Sequence, residues 1–421
     1  MGVLRLLLAL AVVGAHAGPP GDFAWLALTG GPTAVQFFYV ISGFYMALIL
    51  NEKYVGAGSY RAFALSRLLR LVPMYLVVGL GTLGGGLALL CFGAEIPPIA
   101  RWLEHGAGMP LLDQLGFALA HLLIVGQDAL SFAAVDPATH ALYATSDFHR
   151  EAVPAWQFLL VPQAWTVALE LWFYALAPFL VRRSARFVLA LIAASLALRA
   201  ALKYGFALER DPWTFRFFPC ELALFLSGSL SYRAYALLRR RGWLGAQACS
   251  LATIALLVLV VGYAWLPKEL QRKLIGLPVL LPLVPLLLPW VFEGTRRLAF
   301  DRALGELSYP VYLVHFALVF AAGALGSPWL QETQDLWVPL ASLVLAIALW
   351  RLVGRPLEER RQHLSARLAP SASADELIPA PRRGLPAPDL DAPPSVGRDV
   401  GGPAPSRRPS APAEVNAPRG T

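Results

Sequence analysis

The chain has 421 residues, of which 57% are hydrophobic and only 15% charged, where a soluble domain carries about a quarter charged residues. That balance excludes an ordinary water-soluble enzyme, and the apolar runs recurring along most of the length make a polytopic helical membrane protein the expected class. The formal net charge of +8 does not point to nucleic acid, because the basic residues stand between apolar segments and form no single basic-aromatic patch.

Spanning character is predicted over residues 3–17, 34–50, 72–92, 164–181, 186–203, 217–235, 246–265, 274–292, 307–325 and 337–353. A further apolar piece at 115–127 is short for a span and is flanked by Asp113 and Asp128. Charge decides how it is treated. With a cytoplasmic N-terminus and no crossing at 115–127, Lys53, Arg61, Arg67, Arg70, "RRSAR" at 182–186, "RRR" at 239–241, Arg296, Arg297 and Arg302 all lie inside. If 115–127 crosses, both arginine clusters are thrown outside. The expected fold is therefore all-α, a bundle of about ten transmembrane helices with both termini cytoplasmic and residues 93–163 as the one large outer loop. The segment 274–292 holds Pro278, Pro282, Pro285 and Pro289, tolerable only in a membrane helix packed by neighbours. Beyond residue 361 the composition turns to Pro, Ala, Gly and Ser, so 1–361 reads as the transmembrane domain and 362–421 as a disordered cytoplasmic tail. Cys91, Cys220 and Cys249 lie in or beside apolar segments with no metal-ligand spacing; they read as packing residues, and no metal site or disulfide is expected.

Ionisable groups inside spans are costly and so are candidates for function. In "RLLLALAVVGAH", Arg5 and His16 are eleven positions apart, which puts them on one helix face about 16 Å apart. The same stretch ends in Ala15–His16–Ala17, the small-residue pattern of a cleavable signal peptide, which is the competing reading. "FFYVISGFYMAL" places Ser42, Gly43 and Phe44 mid-span, where glycine permits close approach of a helix or a ligand; Ser42 bonding its own backbone is the bland alternative. In "RLLRLVPMY", Arg67 and Arg70 share a face at the inner membrane surface, with Pro73 at the bend into the span. They suit phosphates, or else they are ordinary flanking charge.

"AWTVALELWFYALAP" sets Thr166, Glu170 and Tyr174 four apart in one polar stripe. An intramembrane glutamate needs a partner, a histidine or arginine from another span; a packing role is the alternative. In "LSYPVYLVHFAL", Ser308, Tyr312 and His315 share a face. A histidine simply hydrogen-bonded within the bundle competes there with a catalytic one.

The order of these pieces resembles the membrane-bound acyltransferase-3 family over roughly residues 1–361. Arg5 and His16 match its arginine–histidine pair; Ser42, Gly43 and Phe44 its S-G-F; Arg67, Arg70 and Pro73 its R-x-x-R-I-x-P. Trp165, Glu170 and Tyr174 match its W-S-L-x-x-E-x-x-x-Y, and Tyr309, Tyr312 and His315 its S-Y-x-x-Y-L-x-H. Gln36 stands where many relatives have an acid, Thr166 replaces a serine, and Ser66 replaces an arginine. The resemblance implies a retained first span and a stand-alone O-acyltransferase of the bacterial inner membrane. It implies acyl-coenzyme A, chiefly acetyl-coenzyme A, as donor substrate with no permanently bound cofactor, and a surface polysaccharide or lipid-linked sugar as acceptor. On that basis His16 and Glu170 are the expected catalytic residues, and Arg5, Arg67 and Arg70 the donor-binding ones. Ser42, Gly43, Tyr174, Tyr312 and His315 would line the channel. A multi-span exporter of a lipid or sugar intermediate is the rival class, although no internal repeat is evident. An inactive partner of a polysaccharide synthase is a third reading.

Overall fold

The computed structural model describes residues 1–17, 27–56, 58–208, 211–267, 269 and 277–368. The first helices are α1 (Gly2–His16), α2 (Gly31–Glu52) and α3 (Ser59–Cys91). Short α4 (Pro97–His105) and α5 (Leu111–Leu123) follow, then α6 (Trp165–Leu180), α7 (Ala185–Ala200), α8 (Phe218–Arg240) and α9 (Ala246–Gly262). The series closes with α10 (Leu277–Thr295), α11 (Ala299–Leu325), the single turn α12 (Pro328–Glu332), α13 (Gln334–Leu349) and α14 (Arg355–Leu368). Every predicted span has its helix. Among the described residues, 6 helical stretches are long and apolar enough to cross a membrane by length and composition alone. The protein is an all-α membrane bundle.

Helix boundaries refine the expectation. The 33-residue α3 begins well before the predicted span at 72–92, so Arg61, Arg67, Arg70 and Pro73 ride on one helix about 50 Å long, against a hydrocarbon core of about 30 Å. Pro73 lies inside it, not at a bend where it starts. Helix α5 has 13 residues and reaches only about 20 Å, too short to span. It exposes Leu111, Leu112, Leu115, Leu119 and Leu122 while burying Phe117 and Ala120. In α10, Pro282, Pro285 and Pro289 are internal, whereas Pro278 falls in the first turn, where a missing N–H costs nothing. Helix α14 runs to Leu368, past the expected boundary at 361; the rest of the expected tail lies outside the described residues.

Two contacts position the interior. Helix α1 packs chiefly on α11, and Asp301 in the first turn of α11 accepts the N–H groups of Gly2 and Val3 at 2.7 and 2.9 Å. The carboxylate thus satisfies the open N-terminus of α1. Helix α2 packs on α8 through paired glycines: a Cβ at Gly43 would strike the carbonyl of Phe225, and one at Gly228 the carbonyl of Val40. Only glycine lets the two backbones approach so closely.

The region expected as a plain outer loop builds its own small core. Phe117, Val135, Phe158 and Leu159 pack together with Trp102 against them. Strands β1 (Ala133–Val135) and β2 (Leu142–Ala144) pair antiparallel, Ala134 opposite Tyr143. Asp136 fixes their turn by accepting the N–H groups of Ala138 and Thr139 at 3.0 and 2.7 Å.

Candidate active site

Polar side chains are spaced along the interior of the bundle, and α2 serves as a ruler for them. At one end His16 closes α1, beside Gly31 at the start of α2. Its Nδ1 lies 2.8 Å from the carbonyl oxygen of Val12. A carbonyl only accepts, so Nδ1 carries the hydrogen and Nε2 is left as the basic nitrogen. The ring meets that of His315 in α11, with centroids 5.4 Å apart. His315 is held the same way, Nδ1 2.7 Å from the carbonyl of Tyr312, and its buried Nε2 has no partner among the described residues. Phe316 closes on both rings, at 4.9 and 4.8 Å. His16 is exposed and His315 wholly buried.

About one and a half turns along α2 from Gly31, the Gln36 amide faces Glu221 of α8, Nε2 to Oε1 at 3.4 Å. Arg199 of α7 donates to the same oxygen at 2.5 Å. Glu221 is fully buried and its Oε2 has no partner among the described residues. Next comes Tyr39, stacked on Phe225 at 4.5 Å, its buried hydroxyl likewise without a partner among the described residues. Deeper still, Ser42 donates to Oε1 of Glu170 at 2.7 Å, and Tyr174 donates to that oxygen from one turn further along α6. On the α6–α11 side, Thr166 and Tyr312 share a hydrogen bond of 2.6 Å, and the Tyr312 hydroxyl also reaches the carbonyl of Gln163 at 2.8 Å.

The arginines collect at the other end. Arg67 is buried, donates to Ser66 at 3.3 Å and leaves Nε without a partner among the described residues. Arg361 of α14 donates to the same hydroxyl at 2.8 Å. Arg70 faces Glu306 of α11 at 3.4 Å, and Arg5 lies against Gly305, one residue before it.

The structure therefore gathers Arg5, Arg67 and Arg70 at one end and sets His16 and His315 together at the other. It does not join Glu170 to His16. Among the described residues no hydrogen bond or ion pair links them, and Gly31 and Ser42 are about 16 Å apart along α2. Glu170 takes Ser42 and Tyr174 as partners in place of a histidine or arginine. Gly43 forms the α2–α8 contact, the close approach of a helix that the sequence allowed for.

Several polar residues had no place in the sequence expectation. Arg199 and Glu221 lie within predicted spans, so the rule that singles out Glu170 applies equally to them. Arg216 stacks over Trp165 at 4.5 Å and Phe148 at 5.0 Å, pairs with Asp211 at 2.8 Å, and acts electrostatically on His16 and Tyr312. Its loop carries no motif. Arg361, near the expected tail boundary, had no signal either. Among the described residues, no cluster of three or more His, Cys, Asp or Glu forms a metal site.

A family model described as an acyltransferase domain matches residues 1–354. No curated protein and no solved structure matches the chain.

Proposed function

Because the chain belongs to the membrane-bound acyltransferase-3 family, and so is an acyltransferase, we propose that it moves an acetyl group from acetyl-coenzyme A to a hydroxyl of an extracytoplasmic glycan or lipid-linked sugar. The observation that carries this reading is the fixed tautomer of His16, which leaves Nε2 as the basic nitrogen of the ring. In the proposed step Nε2 takes the proton of the acceptor hydroxyl as its oxygen attacks the thioester carbonyl. A C–O bond forms, the C–S bond breaks, and coenzyme A leaves as a thiolate that takes up a proton. A base of this kind contributes about 10²–10⁴-fold.

Arg5, Arg67 and Arg70 would hold donor phosphates from the cytoplasmic side, guanidinium groups being suited to bidentate contacts with phosphate. The distance of about 16 Å between Arg5 and His16 is one that an extended thioester arm must bridge. Glu170, held by Ser42 and Tyr174, would face that arm and not the imidazole. The unpartnered atoms of Tyr39 and Arg67 are further groups a bound substrate would satisfy.

The test is NMR of surface polysaccharide from cells expressing the wild type, His16→Ala, or neither. O-acetyl signals found only with the wild type are the expected result. Signals of equal strength with His16→Ala would overturn the base assignment.

A further inference from the structure

The two arginine clusters at 182–186 and 239–241, expected on the same side of the membrane, do not lie apart. The turn between α6 and α7 and the C-terminal half of α8 fold around one cleft of about 920 Å³, lined by Arg182, Arg183, Arg233, Arg239 and Arg240, with Glu52 the one carboxylate among its described lining residues and Glu293 behind Tyr235, within electrostatic reach of Arg239. The volume is at the upper end of the range for small-molecule sites.

Two of the arginines are fixed by the fold. Arg182 donates to the carbonyls of Leu50 and Tyr54 where α2 ends. Arg233 donates to the carbonyls of Val181, at 2.8 Å, and Arg183. These bonds hold both guanidinium groups in place without neutralising them. Arg239 and Arg240 are exposed and make no hydrogen bond or ion pair among the described residues. Glu52 itself accepts from Tyr232 at 3.1 Å. Five arginines against the two carboxylates of Glu52 and Glu293 leave an excess of like charge, and an anion of matching shape relieves that repulsion.

We propose that this cleft is a second anion site, separate from Arg5, Arg67 and Arg70, that binds a phosphate ester. The chemistry is shared by two sources, the nucleotide end of coenzyme A and the headgroup of an anionic phospholipid. The inference does not rest on the acyl-transfer reading, since its readout is binding.

Purified full-length protein in neutral detergent is titrated with coenzyme A and, separately, with dihexanoyl phosphatidylglycerol. Each titration is repeated with Arg239→Gln/Arg240→Gln and with a control, Arg61→Gln/Arg351→Gln, which removes the same charge outside the cleft. The expected result is about a tenfold loss of affinity in the cleft variant alone, for at least one probe. Loss for coenzyme A identifies the nucleotide as the source, loss for the lipid identifies the headgroup, and loss for both supports a general phosphate site. The proposal is overturned if neither probe binds the wild type, if neither is weakened in the cleft variant, or if the control weakens binding equally.

Discussion

His16 and His315 meet with ring centroids 5.4 Å apart, each with Nδ1 turned back to a carbonyl of its own helix. The pair brings together two rings whose basic nitrogen is Nε2, that of His315 being buried. Replacing His16 with Ala removes one of them. Acyl transfer by protein reconstituted in vesicles should fall by about two to four orders of magnitude, with the thermal unfolding midpoint in detergent unchanged within error.

The glycine seam between α2 and α8 should not tolerate a methyl group. Gly43→Ala drives a Cβ into the Phe225 carbonyl, an overpacking that costs about 1–3 kcal/mol. Thermal unfolding in detergent should show the loss, and Gly228→Ala should show a similar one. The double variant should fall short of the sum, because the first substitution already separates the helices.

Glu221 and Arg199 form an ion pair at 2.5 Å with the carboxylate wholly buried. Glu221→Leu alone strands a largely buried guanidinium and should destabilise by about 3–5 kcal/mol. Adding Arg199→Met should restore much of that stability. A double variant no better than the single one would show that other contacts of Arg199, such as its bond to the carbonyl of Cys220 at 3.1 Å, dominate.

Thr166 stands where a serine is usual, and its hydroxyl meets that of Tyr312. Thr166→Ser keeps the bond, so activity should remain near wild type. Thr166→Val removes it and should cost about 1 kcal/mol in unfolding free energy, since Tyr312 retains the Gln163 carbonyl.

Outside the spans, hydrogen bonds from Thr145 and Tyr143 hold the Glu151 carboxyl below the usual carboxylate range. A depressed folded-state value means the stabilisation is present above the ordinary carboxylate pKa and lost as pH falls through the depressed one. Amide exchange in the β1–β2 hairpin, compared between wild type and Glu151→Gln at each pH, should show greater wild-type protection near neutrality. The difference should vanish in acid.

The helices were legible because apolar length and arginine placement are local properties of the chain. The stripes on α1, α3, α6 and α11 were legible for the same reason, and they brought His16, Glu170 and His315 into view. What could not be read was pairing between helices. Nothing near Glu170 in the chain says that Ser42 will reach it, and only the α2–α8 contact decides that Gly43 meets backbone. The β1–β2 hairpin was missed because its strands are short and its core is assembled from α4, α5 and residues 153–159.

The glycine seam also bears on how this molecule can move. Carriers that expose a site first to one side and then to the other rock or slide one bundle past its neighbour. Here the backbones of α2 and α8 interlock at two levels, Gly43 against Phe225 and Gly228 against Val40. Translation along that boundary would push the side chains flanking each glycine into the opposing chain. The two helices are thus built to move as one body, so any rearrangement of the bundle has to carry α2 and α8 together.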